Sequence, residues 1–142
     1  MSSKKQEGFS LVELIVVFTI IGIIVTLAIP SIRKAKEAAE SGNAVATMRS
    51  MVAAQYSFYT ENGRYGRLDE VNDHQLGAFG TVDRGTGILQ RGTLIYQLSP
   101  DPMPADADLK ENFQVKATRP GLGGEPPYVI SVDQSGNVVQ IF

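Results

Sequence analysis

The chain contains no cysteine and only one histidine among its 142 residues. Without cysteine, no disulfide can staple the fold and no lipid can be attached through a thiol. His74 alone falls short of a metal site, because such a site needs several ligands at defined spacings. It follows Asp73 in a polar stretch, so we expect its side chain to be exposed to solvent.

Signatures of catalysis are also lacking. The sequence has no paired His, Ser and Asp signature, no phosphate-binding loop and no C-x-x-C motif. Basic and acidic residues nearly balance, at 13 and 15, which gives no sign of a nucleic-acid surface. The sequence therefore predicts no enzyme and no catalytic residues, and its length is that of one domain.

The most prominent feature that is present is an apolar run from Phe9 to Ile29. At the helical rise of 1.5 Å per residue it covers ~32 Å, about the thickness of the hydrocarbon core of a bilayer. Isoleucine and valine are mediocre helix formers in water, but in lipid the backbone must satisfy its own hydrogen bonds. Residues 9–29 are therefore predicted to form a membrane-spanning helix.

Glu13 lies inside this apolar run and is its only ionisable residue. A charge there costs about 2.5–3.5 kcal/mol near mid-membrane, so the carboxylate needs a partner. Cutting the chain between Gly8 and Phe9 would supply one, because Phe9 then carries a free α-amine one helical turn before Glu13. The short leader ahead of the cut carries Lys4 and Lys5, and positive charge before an apolar span holds that end in the cytoplasm.

This segment resembles the start of the type IV pilin and type II pseudopilin family. The resemblance implies that a prepilin peptidase and methyltransferase removes the leader, residues 1–8, at the Gly8–Phe9 bond and methylates the Phe9 amine. It also implies that Glu13 neutralises the amine of a neighbouring subunit during filament assembly. The residues that carry the resemblance are Lys4, Lys5, Gly8, Phe9, Ser10, Leu11, Val12, Glu13 and Leu14, followed by Gly22 and Pro30.

Two other interpretations of the same segment stay open. A secretory signal peptide has an apolar core of 7–15 residues and a small-x-small cleavage site. Here the run is longer and contains Glu13, and the best such site, Thr26 to Ala28, is followed by Ile29 and Pro30. A plain membrane anchor explains the length of the run but not a glutamate beside a Gly-Phe junction.

The apolar pattern continues beyond Pro30 as an amphipathic helix to about Glu61. One face of this helix is a stripe rich in alanine, and we expect another layer of the protein to pack closely against these small side chains. We expect Tyr56, Phe58 and Tyr59 to lie in the core rather than to form a platform for a ligand. The stripe with spacings of three and four comprises Ala35, Ala38, Gly42, Val45, Arg49, Val52, Tyr56 and Tyr59, flanked by Ala39, Ala46 and Ala53.

Gly22 and Pro30 are the two weak points of this long helix. Pro30 removes one backbone hydrogen bond and should kink or locally open the helix. The resemblance implies that the helix partly unwinds between these two residues within a filament. The missing side chain of Gly22 serves close packing of membrane helices equally well, so both roles stay open.

The remainder predicts a small antiparallel sheet. Gly63 can cap the helix, and residues 62–92 are expected to form a connecting αβ loop with a short helical turn from Asp69 to Leu76, capped by Asp69. Residues 93–142 contain four predicted strands, at 93–98, 113–118, 128–132 and 138–142. The fold class is α+β. A long N-terminal helix, hydrophobic over 9–29 and amphipathic over 30–61, lies across the sheet as in the type IV pilin fold.

Four carboxylates cluster between the first two of these strands and suggest a test for calcium, which takes six to eight oxygens from such loops. Their spacing matches no EF-hand, so a solvated loop is the alternative. The resemblance implies bound calcium only if the chain is a type II pseudopilin, and otherwise it predicts no metal or cofactor. The carboxylates are Asp101, Asp106, Asp108 and Glu111.

The resemblance predicts a structural pilin. It would sit in the inner membrane as a single-pass protein and then assemble, through an inner-membrane platform, into a homo-oligomeric helical filament. A type IV pilus on the bacterial cell surface, used for motility, adhesion or DNA uptake, is the first hypothesis. The major pseudopilin of a type II secretion system, in a periplasm-spanning filament, is the second. A membrane-anchored periplasmic binding module that never polymerises is the alternative of another class.

Overall fold

The computed structural model describes residues 8–121 and 127–141. The leader residues 1–7, including Lys4 and Lys5, lie outside the described residues, as does Phe142 at the end of the last predicted strand. The chain divides into two compact units, with the boundary between Ser41 and Gly42. Helix α1, Leu11–Asn62, is 52 residues long and runs through this boundary.

The N-terminal unit is the first part of α1 and the residues before it. Its large apolar side chains are all well exposed, from 45% at Val17 to 85% at Phe9. The segment is long and apolar enough to cross a membrane. Because no other part of the chain that the structure describes covers it, this part of α1 owes its helical form to the backbone hydrogen bonds of the helix rather than to a packed core.

The C-terminal unit is a six-stranded sheet with the order β1-β2-β3-β4-β5-β6, in which every neighbouring pair is antiparallel. One face of the sheet packs against the second part of α1, which confirms the predicted α+β class. The elements after α1 are helix α2 at Leu68–His74 and strands β1 Thr81–Asp83, β2 Ile88–Arg91, β3 Leu94–Leu98, β4 Gln114–Arg119, β5 Tyr128–Asp133 and β6 Val138–Gln140.

Strands β3 to β6 correspond to the four predicted strands, whereas β1 and β2 lie in the stretch predicted to be a connecting loop. These two strands have three and four residues, too few to show an alternation of apolar and polar side chains. A turn joins them, in which Gly87 has a φ of 68°. A side chain at Gly87 would also meet the Pro102 carbonyl oxygen, so this turn and the loop between β3 and β4 fit together only with glycine there.

The buried face of α1 is displaced by one residue from the predicted stripe. Ala46 and Ala53 are exposed, Tyr56 and Tyr59 are half-exposed, and of the central stripe only Val52 is buried. The two stripes lie next to each other on the helix. The buried stripe was not predicted because it contains the polar residue Gln55. Its members are Ala44, Thr47, Met48, Met51, Val52, Ala54, Gln55 and Phe58.

Gln55 belongs in the core because both ends of its amide are paired. Its Nε2 donates to the Gly66 carbonyl at 2.8 Å, and its Oε1 accepts from the Gly66 N–H at 2.8 Å. A buried amide without such partners would be costly. This pair fastens the end of α1 to the segment that follows it, where Gly63 takes the predicted left-handed cap with a φ of 69°.

The N-cap of helix α2 lies two residues before the position predicted for it. Arg67, not Asp69, is the N-cap residue. The carboxylate of Glu70 accepts the Arg67 N–H at 2.8 Å, which satisfies one of the free donors of the first turn. Asp69 lies inside that turn, where its negative charge still interacts favourably with the helix dipole.

Candidate processing and assembly segment

Gly8, Phe9 and Ser10 precede α1 and are exposed. The Gly8–Phe9 bond therefore lies outside regular helix, in a stretch that a peptidase can reach without first unwinding it. Phe9 is 85% exposed. The structure thus places the predicted cleavage residues at the helix start. The roles of Gly8 as cleavage residue and Phe9 as methylated residue stay predictions.

Glu13 is fixed by a capping box with Ser10. Its Oε2 accepts the Ser10 N–H at 3.0 Å, while the Ser10 hydroxyl accepts the Val12 N–H at 3.3 Å. The first regular helical bond then runs from the Leu14 N–H to the Ser10 carbonyl at 3.2 Å. The S-x-x-E pattern at residues 10–13 is the sequence signal for this arrangement, which the sequence analysis missed.

The capping box uses only part of the hydrogen-bonding capacity of Glu13. Oε1 makes no hydrogen bond or ion pair within residues 8–121 and 127–141. A carboxylate offers about four acceptor positions, so Oε1 stays available to a donor from outside the chain. No lysine or arginine lies within the apolar run itself.

Gly22 and Pro30 lie within α1, which continues through both. A Cβ placed on Gly22 would meet nothing within 4 Å, so the single chain does not require glycine there. The Thr26 hydroxyl donates to the carbonyls of Gly22 and Ile23, at 3.1 and 2.7 Å. Pro30 lacks the N–H that would otherwise bond to the Thr26 carbonyl. Unwinding between Gly22 and Pro30 in a filament stays a prediction.

In the acidic loop between β3 and β4, which carries Asp101, Asp106, Asp108 and Glu111, one carboxylate has arginine as its countercharge. Asp106 lies 2.9 Å from Arg67 Nη1 and 3.5 Å from Arg64 Nε. Arg64 also forms a two-pronged pair with Glu70, at 2.9 and 2.7 Å, and this hydrogen bonding holds the pKa of Glu70 below its ordinary value. Among residues 8–121 and 127–141, no three His, Asp or Glu side chains converge as metal ligands would.

His74 is not the exposed loop residue that we predicted. It closes α2 with only a quarter of its side chain accessible, and its Nε2 lies 3.0 Å from the Glu61 carboxylate near the end of α1. Its ring also meets the Phe58 ring edge-on, with centroids 5.8 Å apart. Sequence alone could not show this, because the two helices meet only through the fold of the intervening turn.

The N-terminal segment matches a family described as the prokaryotic N-terminal methylation motif, over residues 3–29. The chain is 36% identical over 61 residues to the type IV major pilin protein PilA of Myxococcus xanthus, an alignment that covers 43% of this chain and 28% of that protein. It is 34% identical over 70 residues to the type II secretion system core protein G of Aeromonas hydrophila, covering 49% of each.

The chain thus spans about half or less of the length of these two relatives. A third alignment is nearly complete: the chain is 31% identical over 137 residues to the type II secretion system core protein G of Klebsiella pneumoniae, covering 94% of this chain and 95% of that protein. No solved structure gives a significant match. The near-complete alignment, the methylation motif and the helix-plus-sheet fold together show that this chain belongs to the type IV pilin and type II pseudopilin family.

Proposed function

We propose that this chain is a filament subunit with a structural rather than an enzymatic role. It is inserted in the inner membrane, cut between Gly8 and Phe9, and polymerised through α1 into a type IV pilus that serves motility, adhesion or DNA uptake. The observation that carries the proposal is a helix with apolar side chains exposed all round it and one carboxylate, Glu13, in its first turn.

The exposed apolar surface of α1 requires a covering. Its large apolar side chains from Leu11 to Ile32 are 45–74% exposed in the single chain. Lipid covers this surface before assembly, and copies of the same helix cover it afterwards. Because lipid tails are as apolar as the side chains themselves, burial of apolar area alone provides little driving force for the helices to move from lipid into contact with one another.

An ion pair between the Phe9 α-amine of one copy and the Glu13 carboxylate of the next would provide this driving force. The cut gives Phe9 an α-amine, which is largely charged at neutral pH, and N-methylation preserves the charge. An unpaired ammonium and an unpaired carboxylate are each costly in an apolar medium, whereas a close pair offsets much of the cost. Oε1 of Glu13, which is free of hydrogen bonds within the described residues, would accept the amine of the adjoining copy and set the register of the two helices.

Replacing Glu13 tests this proposal. We expect Glu13→Ala to leave cleavage intact, because the Gly8–Phe9 bond is unchanged, and to lower the yield of sheared fibres about tenfold or more. Glu37→Ala, in the same helix but outside the apolar run, serves as the control. Electron microscopy measures the fibres, and N-terminal sequencing of the fibre protein checks for methylated Phe9. Normal fibres from Glu13→Ala, or fibres built from uncut chain, would remove the central support.

The second candidate is the major pseudopilin of a type II secretion system. It is favoured by the near-complete alignment with the core protein G of Klebsiella pneumoniae. Only this candidate function would be expected to bind calcium at the carboxylates of the acidic loop. The pilus is supported instead by Arg64 and Arg67, which already give Asp106 its countercharge.

A chelator distinguishes the two filaments. If the chain is a pilin, excess EDTA should leave the melting temperature of the full chain in detergent unchanged, and long surface fibres should be found. A clear fall in melting temperature that added calcium reverses, together with short fibres only, would favour the pseudopilin. A chain that is cut but stays monomeric in the membrane would instead favour the non-polymerising binding module.

A further inference from the structure

Leu76 is an apolar side chain held in an unusual place. It is 97% exposed, more than any other large apolar residue in the described ranges, and its φ of 55° lies in the left-handed region. That region is disfavoured for leucine, whereas glycine and asparagine tolerate it. The sequence therefore bears a backbone cost and a solvation cost at the same position.

The turn around Leu76 is held rigidly by its neighbours. The Leu76 N–H donates to the Asp73 carbonyl at 3.0 Å, and the Gly77 N–H donates to the Asn72 carbonyl at 2.7 Å. The buried Asn72 side chain accepts the Phe79 N–H at 3.0 Å and donates to the Gly80 carbonyl at 3.2 Å. Leu76 is consequently a fixed projection and not the tip of a loose loop.

An open groove of about 490 Å³ lies beside this turn, and Gln75 and Ala78 on either side of Leu76 contribute to it. Its α1 side is formed by small residues such as Ser50, Ala53 and Ser57. The charged residue in its lining is Arg91, which has no carboxylate partner within residues 8–121 and 127–141. An apolar projection, a floor of small side chains and an unpaired cation thus share one surface.

The acidic loop carries the complementary features. Asp101, Asp108 and Glu111 are exposed and have no cationic partner among the described residues, since Asp106 is the loop carboxylate that Arg64 and Arg67 contact. Met103 is 38% exposed in the same loop. The same loop presents two small exposed residues, Ala105 and Ala107, beside its carboxylates.

We propose that Leu76 and this groove bind the acidic loop of a second copy of the chain. The carboxylates of the loop would meet Arg91, and Met103 would pack against Leu76. Charge complementarity of this kind selects a partner and its register. The proposal rests on the proposed function, because it places the contact between subunits of one filament, and it names a contact between the C-terminal units.

The substitution Leu76→Asn separates folding from assembly. Asparagine tolerates the left-handed backbone and is polar, so we expect the melting temperature of the full chain in detergent to rise by about 4 °C. Fibre yield should fall about tenfold, because the projection is lost. Val139→Asn is the matched control: Val139 is an exposed apolar residue, at 49%, outside the groove, and its replacement should leave fibre yield unchanged.

Cross-linking identifies the occupant. Because the natural chain has no cysteine, Leu76→Cys combined with Met103→Cys creates the only thiols. Mild oxidation of fibres should give a ladder of covalent oligomers, whereas each single variant should give at most dimers. Wild-type fibres must form in the same experiment, since their absence would count against the proposed function instead. Normal fibres from Leu76→Asn, no ladder, or cross-links to a different protein would overturn the inference.

Discussion

Gln55 supplies a polar clasp in the core of the C-terminal unit. Its amide pairs with both backbone groups of Gly66, eleven positions along the chain. Gly66 is buried, so its N–H and carbonyl need partners within the protein, and Gln55 provides both. The clasp therefore stabilises the exit from α1 through satisfied polar groups rather than through additional apolar area.

Replacing Gln55 with methionine keeps the volume of the side chain and removes its hydrogen bonds. We expect the free energy of unfolding to fall by about 2–4 kcal/mol, because two buried backbone groups lose their partners. Urea unfolding of the full chain in detergent, followed by near-ultraviolet circular dichroism, measures the change. Asn43→Met, at an exposed position of the same helix, should change the stability by less than about 0.5 kcal/mol. Equal stability of the two variants would contradict the role of the clasp.

Glu70 makes the stability of the C-terminal unit depend on pH. Its pKa is lowered chiefly by hydrogen bonds from Arg64 and further by the Arg67 N–H. A carboxylate with a lowered pKa in the folded state contributes stability that is complete above its unfolded pKa, about 4.3, and is lost as the pH falls through its folded value. We expect stability to decline as the pH falls from about 5 towards 3. Glu70→Gln should flatten this part of a series of thermal melts, and an unchanged slope would contradict the assignment.

Glu13 is recognisable from the sequence whereas the core position of Gln55 is not, for a physical reason. A charged residue in an apolar run stands out from its immediate neighbours, so Glu13 needs no knowledge of the fold. The partner of Gln55 is reached only through a turn, and a glutamine is normally assigned to the surface. The same limit hid the contact between His74 and Glu61.

At the scale of elements, β3, β4 and β5 were predicted because they are long enough to show a pattern, and the three-residue β6 was predicted from the turn signal before it, at residues 133–137. In β3, Leu94, Tyr96 and Leu98 are buried and alternate with half-buried residues, and β4 alternates likewise. The hairpin of β1 and β2 gave no such signal. For α1 the helical period was clear but the buried face was not, because two neighbouring stripes both have helical spacing and packing decides between them.

The junction of α1 and α2 depends on the absence of a side chain at Gly66. A Cβ there would lie 2.6 Å from Val71 Cγ2 and 3.1 Å from the Phe58 ring. We expect Gly66→Ala to lower the free energy of unfolding by about 1–3 kcal/mol, because neither neighbour can move without disturbing the core. Urea unfolding of the full chain in detergent provides the measurement.

Two further variants make this test specific. Val71→Ala should relieve the clash. The loss in the free energy of unfolding of the double variant Gly66→Ala/Val71→Ala should therefore be smaller than the sum of the losses of the two single variants. Gly63→Ala meets nothing within 4 Å but keeps a φ of 69°, so its cost, about 1 kcal/mol, should not depend on Val71. Strict additivity for Gly66 and Val71 would show that crowding is not the cause.

At the scale of the whole molecule, the two units differ in what keeps them folded. Every buried side chain of α1 lies from Ala44 onwards, and these side chains pack with the sheet in one core. The part of α1 before Ser41 contributes none. The C-terminal unit therefore holds its own core, while the apolar side chains of the N-terminal unit are exposed in the single chain.

This difference predicts the behaviour of a chain that begins at Ser31. Without residues 1–30 it should be soluble and monomeric, because the apolar run is gone, and it should melt within about 2 °C of the full chain in detergent, because the core is unchanged. Analytical ultracentrifugation and near-ultraviolet circular dichroism measure the two properties. A shortened chain that loses fixed aromatic signals would show that the apolar helix stabilises the sheet. One that still forms fibres would place the main assembly contact in the C-terminal unit and leave Glu13 without its proposed role.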